Sequence, residues 1–291
     1  MRRLWALLLW GLALLSPLAQ GMNGVIYQPQ LRDMSVSDDR WQKMMGDLRR
    51  AGIDTLVIQW TRYGDGFWDD PARQWLADKA RIARAAGLQL VVGLHADPDF
   101  FNRQNQPLPA LENYLNHLRA VDVATARQWL QLLGAAQIGG WYISSEIDDL
   151  RWRDEQAQRL AQQWLSDTRL SLDALAVKPV AVSSFFAGNM SPQGYQRLVN
   201  TLRASGVSVW VQDGAGSGKL TPQERNLYLA GQADGTVVEL FREDRSRSGF
   251  HATPLDALAQ QRLLSEPPRA GRQRLFFSLR YMPLARGVLE Y

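Results

Sequence analysis

Eight short, almost continuously apolar runs recur along this chain, and a helical stretch separates each from the next. The runs lie at 24–28, 54–60, 88–95, 140–145, 179–185, 207–212, 236–241 and 274–279. Apolar residues at every position, rather than at alternate ones, belong to strands covered on both faces, as parallel strands are. The segments between have the helical period. Trp41, Met44, Met45 and Leu48 form one stripe in 37–51, with Gly52 as a stop. Stretches 71–86, 111–133, 154–176 and 191–205 follow, three of them ending at Gly87, Gly134 and Gly206. Thr221-Pro222-Gln223-Glu224 is a capping box with proline at the first helical position, and Thr253-Pro254-Leu255-Asp256 opens a seventh helix in the same style.

Strict strand–helix alternation leaves two architectures. A doubly wound sheet carries a glycine-rich turn after its first strand, but Tyr27-Gln28-Pro29-Gln30 stands there. The glycine-rich stretch 214–218 follows the sixth strand and matches no dinucleotide fingerprint. The pattern therefore predicts an α/β chain forming a (β/α)₈ TIM barrel. Its eighth helix is short or missing, because little more than 283–291 follows the last strand.

The first residues read differently. Arg2 and Arg3 precede an apolar run over 4–15, and 16–21 supplies small residues, including Ala19 and Gly21. This is the layout of a cleavable signal peptide, and the run is too short to span a bilayer, which takes about 20 residues. We expect residues 1–21 to be a leader and 22–291 a single catalytic barrel, periplasmic and without stable membrane insertion. The chain has no cysteine, which excludes disulfides, a thiolate nucleophile and a cysteine zinc site. A net charge of +4, two units of it in the leader, and the lack of a basic run argue against nucleic acid as a partner.

Barrel enzymes carry their reactive groups at the C-terminal ends of the strands. Here those ends hold amides, rings and carboxylates. Glu146 ends strand four and Glu239 ends strand seven, where an unpartnered buried carboxylate costs several kcal/mol. Such a pair performs glycoside hydrolysis, one as proton donor and the other as nucleophile or base. Gln28, Gln59, Trp60, Tyr63, His95, Asp148, Trp210, Gln212 and Asp213 are candidate substrate-binding residues. Trp68 and Trp152 are further candidate sugar-stacking rings, whereas Trp41, Trp75, Trp129 and Trp164 fall on helical stripes and read as core. Glu146, Asp148 and Asp149 lack the spacing of a calcium loop, and only one of three histidines ends a strand, so no metal and no cofactor is expected.

A glutamate after strand four and another after strand seven resemble the retaining clan of (β/α)₈ glycoside hydrolases. The Tyr27-Gln28-Pro29 start, Gln59-Trp60, the segment Trp141 to Glu146 and the segment Trp210 to Gly214 resemble a narrower group. That group is a bacterial TIM-barrel, glycosyl-hydrolase-like family built on a domain of unknown function. The resemblance implies Glu146 as acid/base and Glu239 as nucleophile. Ser145 stands where the clan commonly has asparagine, so contacts to the sugar 2-hydroxyl differ. The expected activity is that of an endo-acting, retaining glycosidase cleaving an exported bacterial polysaccharide or oligosaccharide, with polysaccharide-secretion machinery as a further partner. The alternative is a catalytically inactive glycan-binding barrel within a secretion or adhesion system.

Overall fold

The computed structural model describes residues 21–267 and 271–291. The leader expected over 1–21 lies outside the described residues except for Gly21. Eight parallel strands close into a barrel: β1 (Asn23–Tyr27), β2 (Thr55–Ile58), β3 (Gln89–Gly93), β4 (Gly140–Asp148), β5 (Val180–Phe185), β6 (Ser208–Gln212), β7 (Gly235–Glu239) and β8 (Gln273–Phe277). Each strand pairs with the next in sequence, and β8 pairs with β1 to close the ring. The fold is a (β/α)₈ TIM barrel.

A helix follows each of the first seven strands: α1 (Asp38–Arg50), α2 (Asp70–Ala85), α3 (Leu108–Leu133), α4 (Glu155–Asp173), α5 (Pro192–Arg203), α6 (Pro222–Leu229) and α7 (Ala257–Ser265). Trp41, Met44, Met45 and Leu48 all turn inward from α1. The capping box forms at α6, where Thr221 accepts from the Glu224 amide and Glu224 reaches back. At α7 the sequence reading is corrected. Ala252–Pro254 is instead a short strand paired with Phe241–Glu243, and the helix starts from Asp256, whose carboxylate accepts the Ala259 amide. A Thr-Pro pair suits a helix start, but a partner strand at 241–243 claims it first.

Among the described residues no α-helix follows β8. Two 3₁₀ turns, Leu279–Tyr281 and Pro283–Ala285, take its place. They are fastened by Arg280, which is almost wholly buried and grips Asp33 with both terminal nitrogens at 2.9 and 2.6 Å. Tyr27 donates its hydroxyl to the same carboxylate, and Arg280 also reaches the Gln28 and Glu290 carbonyls. The terminal nitrogens of this buried charge pair are thus fully engaged, while the Arg280 Nε stays unpartnered.

Two cores result. One lies between barrel and helices. The other fills the barrel itself, and each strand contributes one side chain to it: Ile26, Val57, Val91, Tyr142, Ala181, Trp210, Val237 and Leu275. Tyr142 and Trp210 stack nearly parallel in this layer, with centroids 5.5 Å apart, and the Trp210 indole N–H donates to Gln273. The layer seals the barrel from below.

Candidate active site

Strand side chains alternate in direction, so the residue two beyond a sealing position points to the same axis, one level higher. Counting two from the sealing layer gives Gln28, Gln59, Gly93, Ser144, Ser183, Gln212, Glu239 and Phe277. All of these except Gly93 and Ser183 line one cleft of about 620 Å³ at the C-terminal face. Gly93 admits nothing larger, since a Cβ there would fall 2.2 Å from the Gln59 carbonyl. The floor of the cleft is thus amide, hydroxyl and carboxyl, laid directly on apolar packing.

Glu146 joins this level through an irregularity. Between the paired positions Ile143–Val182 and Ile147–Ser184, three residues of β4 face one of β5. The bulge carries Glu146 into the cleft, as bulges re-aim side chains at functional sites. Its Oε1 accepts from the Gln212 amide at 2.7 Å and from the Ser183 hydroxyl at 3.4 Å, and Ser183 also bonds the Tyr142 hydroxyl at 2.6 Å. Burial pushes the Glu146 carboxyl above its ordinary pKa, while the two donors pull against that rise.

Glu239 is held from the β6–α6 loop. The Gly216 amide donates to its Oε2 at 2.6 Å, and its own backbone amide points to Asp213 at 3.4 Å. Asp213 also accepts from the Ala215 amide, folding the turn that presents Gly216. A side chain at 216 would run into the Phe241 ring, so this glycine is required by space. Burial raises the Glu239 carboxyl, and the neighbouring Asp213 charge raises it further; the Gly216 amide only partly offsets them. Asp213 is raised too, by burial above all. Two acids placed this close each make it harder for the other to ionise.

Of the residues expected at the site, Glu146, Glu239, Gln28, Gln59, Trp60, Tyr63 and Gln212 meet at the cleft. Asp213 stands at Glu239 without lining the cleft. Trp210 does not reach it: as a member of the sealing layer it is wholly buried and offers no face to a sugar. Asp148 is also corrected, to a structural acid accepting the Leu150 and Arg151 amides and the Gln104 side chain. Asp149 is spent likewise on the Ala187, Asn189 and Met190 amides, which ties β4 to the β5–α5 loop. His95 is buried outside the cleft lining; its amide bonds Asp122, and burial first, then Arg62, pushes its pKa down to about 4. Trp152 is buried with its N–H on Gln104. Among the described residues no cluster of three metal-binding side chains occurs.

Sequence reasoning missed several contributors. Ser183 shows no signal within an apolar strand except its place two beyond Ala181. The 214–218 loop lacks a nucleotide fingerprint, yet it supplies the amide that holds Glu239. Phe101, Phe250 and Tyr281 wall the cleft from a short helix, a loop and a 3₁₀ turn whose approach no local pattern announces, beside Phe185 and Phe241 at strand ends.

Half-buried Glu146 and buried Glu239 meet in one aromatic-walled cleft at the C-terminal face of the barrel. The sequence profile of DUF4434, a domain of unknown function, matches residues 22–271, and the chain belongs to that family. It is 47% identical over 288 residues to the uncharacterised protein YbcH of Escherichia coli (strain K12), a match covering 96% of this chain and 97% of the relative. Among solved structures it is similar to the catalytic domain of beta-amylase from Paenibacillus polymyxa. That match has a TM-score of 0.50 and 9% identity, over 90% of this chain and 93% of the other. A truncated 3-deoxy-D-arabino-heptulosonate 7-phosphate synthase from Thermotoga maritima matches with TM-score 0.42 and 11% identity, over 88% and 76%. At these identities the likeness is one of fold.

Proposed function

We propose that this protein is a glycoside hydrolase whose catalytic pair is Glu146 and Glu239. The observation that carries the reading is the meeting of both acids in one cleft, each held by a different set of donors and neighbours. A (β/α)₈ fold of the kind a beta-amylase catalytic domain adopts, and aromatic walls suited to sugar faces, support it. The local chemistry favours roles opposite to those the clan resemblance implies. Glu239, raised by burial and by the neighbouring Asp213 charge, is the proton donor to the glycosidic oxygen. Glu146, with two side-chain donors on its carboxylate, is the group that attacks the anomeric carbon. Cleavage of the glycosyl–enzyme then follows when Glu239, now ionised, takes a proton from water. Retention and endo action on an exported polysaccharide complete the proposal.

A second reading, glycan binding without turnover, draws on the fact that both carboxyls are pushed toward the neutral form, which leaves neither as a ready nucleophile. Incubating purified 22–291 with bacterial exopolysaccharides and assaying new reducing ends separates the two. Release of reducing ends is expected; binding without release would establish the second reading.

Export belongs to the same proposal. The leader pattern in 1–21 and a family profile that begins at residue 22 support a periplasmic protein cut near Met22. N-terminal sequencing of the secreted fraction should find a start near Met22, and a retained Met1 in the membrane fraction would refute it.

A further inference from the structure

Seven of the nine tryptophans in the described part are buried or packed against the core, and an eighth, Trp60, lines the cleft. Trp68 alone is exposed, with 53% of its surface open. Leaving so large a ring in water forgoes about 2–3 kcal/mol of burial. The backbone goes to some length to keep it there. The preceding Phe67 has φ of 63°, in the left-handed region that bulky residues avoid, and it is the one non-glycine residue there among those described. Its side chain is buried and stacks on Trp75, so the chain is anchored at 67 and reversed to throw residue 68 outward. Trp68 is then fixed at both backbone groups: its amide donates to the Asp65 carbonyl, and Arg73 donates to its carbonyl at 2.6 Å. The Arg62 guanidinium lies 4.1 Å from the ring centroid and braces one face.

The same β2–α2 loop reaches into the cleft. Trp60 and Tyr63, with rings 4.8 Å apart, line it, and Tyr63 is itself 44% exposed. From Trp60 through Tyr63 to Trp68 the loop carries aromatic rings from the cleft wall to the rim of the barrel's C-terminal face. Asp65, whose carbonyl accepts the Trp68 amide, and Asp69, the next residue after the ring, are both exposed; Asp69 holds the cap position of α2 without its side chain accepting a helix amide. Exposed carboxylates accept hydrogen bonds from sugar hydroxyls, and with Asp70 these acids outnumber Arg62 and Arg73 on the same loop, so no net positive charge draws a polyanion there.

Building on the glycosidase reading, we infer that Trp68, with Asp65 and Asp69, is a remote subsite for a neutral, hydroxyl-rich glycan chain that extends beyond the cleft. The braced, prefixed ring binds without ordering cost, which is how a remote contact adds affinity for polymers while leaving bond cleavage unchanged.

The test is affinity electrophoresis in native gels containing hydroxyethylcellulose, dextran, xylan, chitosan or sodium alginate, followed by titration with a trisaccharide of whichever polymer retards the wild type most. Trp68→Ala should bind that polymer about tenfold more weakly, as loss of one stacking contact implies. It should bind the trisaccharide and unfold thermally as the wild type does, whereas Trp60→Ala should weaken both ligands. Polymer binding by Trp68→Ala equal to wild type, or equal loss for trisaccharide and polymer, overturns the subsite while leaving the cleft intact. Strongest retardation by alginate overturns the neutral-chain assignment. No retardation of the wild type by any polymer removes the glycan reading itself, and the subsite with it.

Discussion

Glu146 and Glu239 occupy like places at the ends of β4 and β7, yet the protein builds their surroundings by different means. Glu146 is delivered by a bulge and held by side chains, Gln212 and Ser183, from the two strands next along the sheet. Glu239 continues a regular strand and is held by backbone, the Gly216 amide, in a turn shaped by Asp213. Side-chain donors favour a carboxylate, whereas an acidic neighbour favours a proton. Under the proposed roles, the loop after β6, rather than strand position, is what separates the acid from the nucleophile.

Neutralising each acid in turn should give the largest effects, and different ones. Glu146→Gln should abolish turnover of natural glycans and of activated aryl glycosides alike. Glu239→Gln should slow natural glycans by about 10²–10⁴ and aryl glycosides far less, because good leaving groups need little acid assistance. The opposite pattern in steady-state assays would restore the roles the clan resemblance implies. A smaller effect is expected of Gly216→Ala, which forces Phe241 aside and displaces the amide that holds Glu239. A loss of about tenfold in kcat should follow, with circular dichroism confirming an intact barrel; unchanged kcat would show that the turn does not hold the acid.

The pH profile gives the gentlest test, and its two limbs should move toward each other. Activity requires Glu146 ionised, which sets the acidic limb, and Glu239 protonated, which sets the alkaline limb. Asp213→Asn removes a negative charge beside Glu239, lowers its pKa and brings the alkaline limb down by about one pH unit. Gln212→Met removes a donor from Glu146, raises its pKa and lifts the acidic limb by a similar or smaller amount. If Gln212→Met moved the alkaline limb instead, Glu146 would be the proton donor.

The barrel was legible because parallel strands buried on both faces leave an unmistakable rhythm. The site was legible in direction but not in depth. Trp210 and Gln212 lie on one side of the same strand and are equivalent in sequence pattern. Only the register of eight strands shows that Trp210 fills the sealing layer while Gln212 faces the cleft. Asp148 departs from expectation for a related reason: beyond the bulge the strand end bends, and amides at 150 and 151 capture the carboxylate before a ligand could. Glu146 and Glu239 were found because acids inside apolar runs are costly enough to stand out.

The clasp between Arg280 and Asp33 joins the last turns of the chain to the first, and this sets an order of events in synthesis. β1 has only one neighbour until β8 emerges, so its outer edge stays open while almost the whole protein is made. Open strand edges invite pairing with other chains. The closing strand and its fastening arginine lie close together, at 273–277 and 280. A barrel without them would hold seven of eight strands and still present that edge, so the pair acts as a completion check: the barrel becomes safe from its neighbours only once β8 is laid against β1 and clasped.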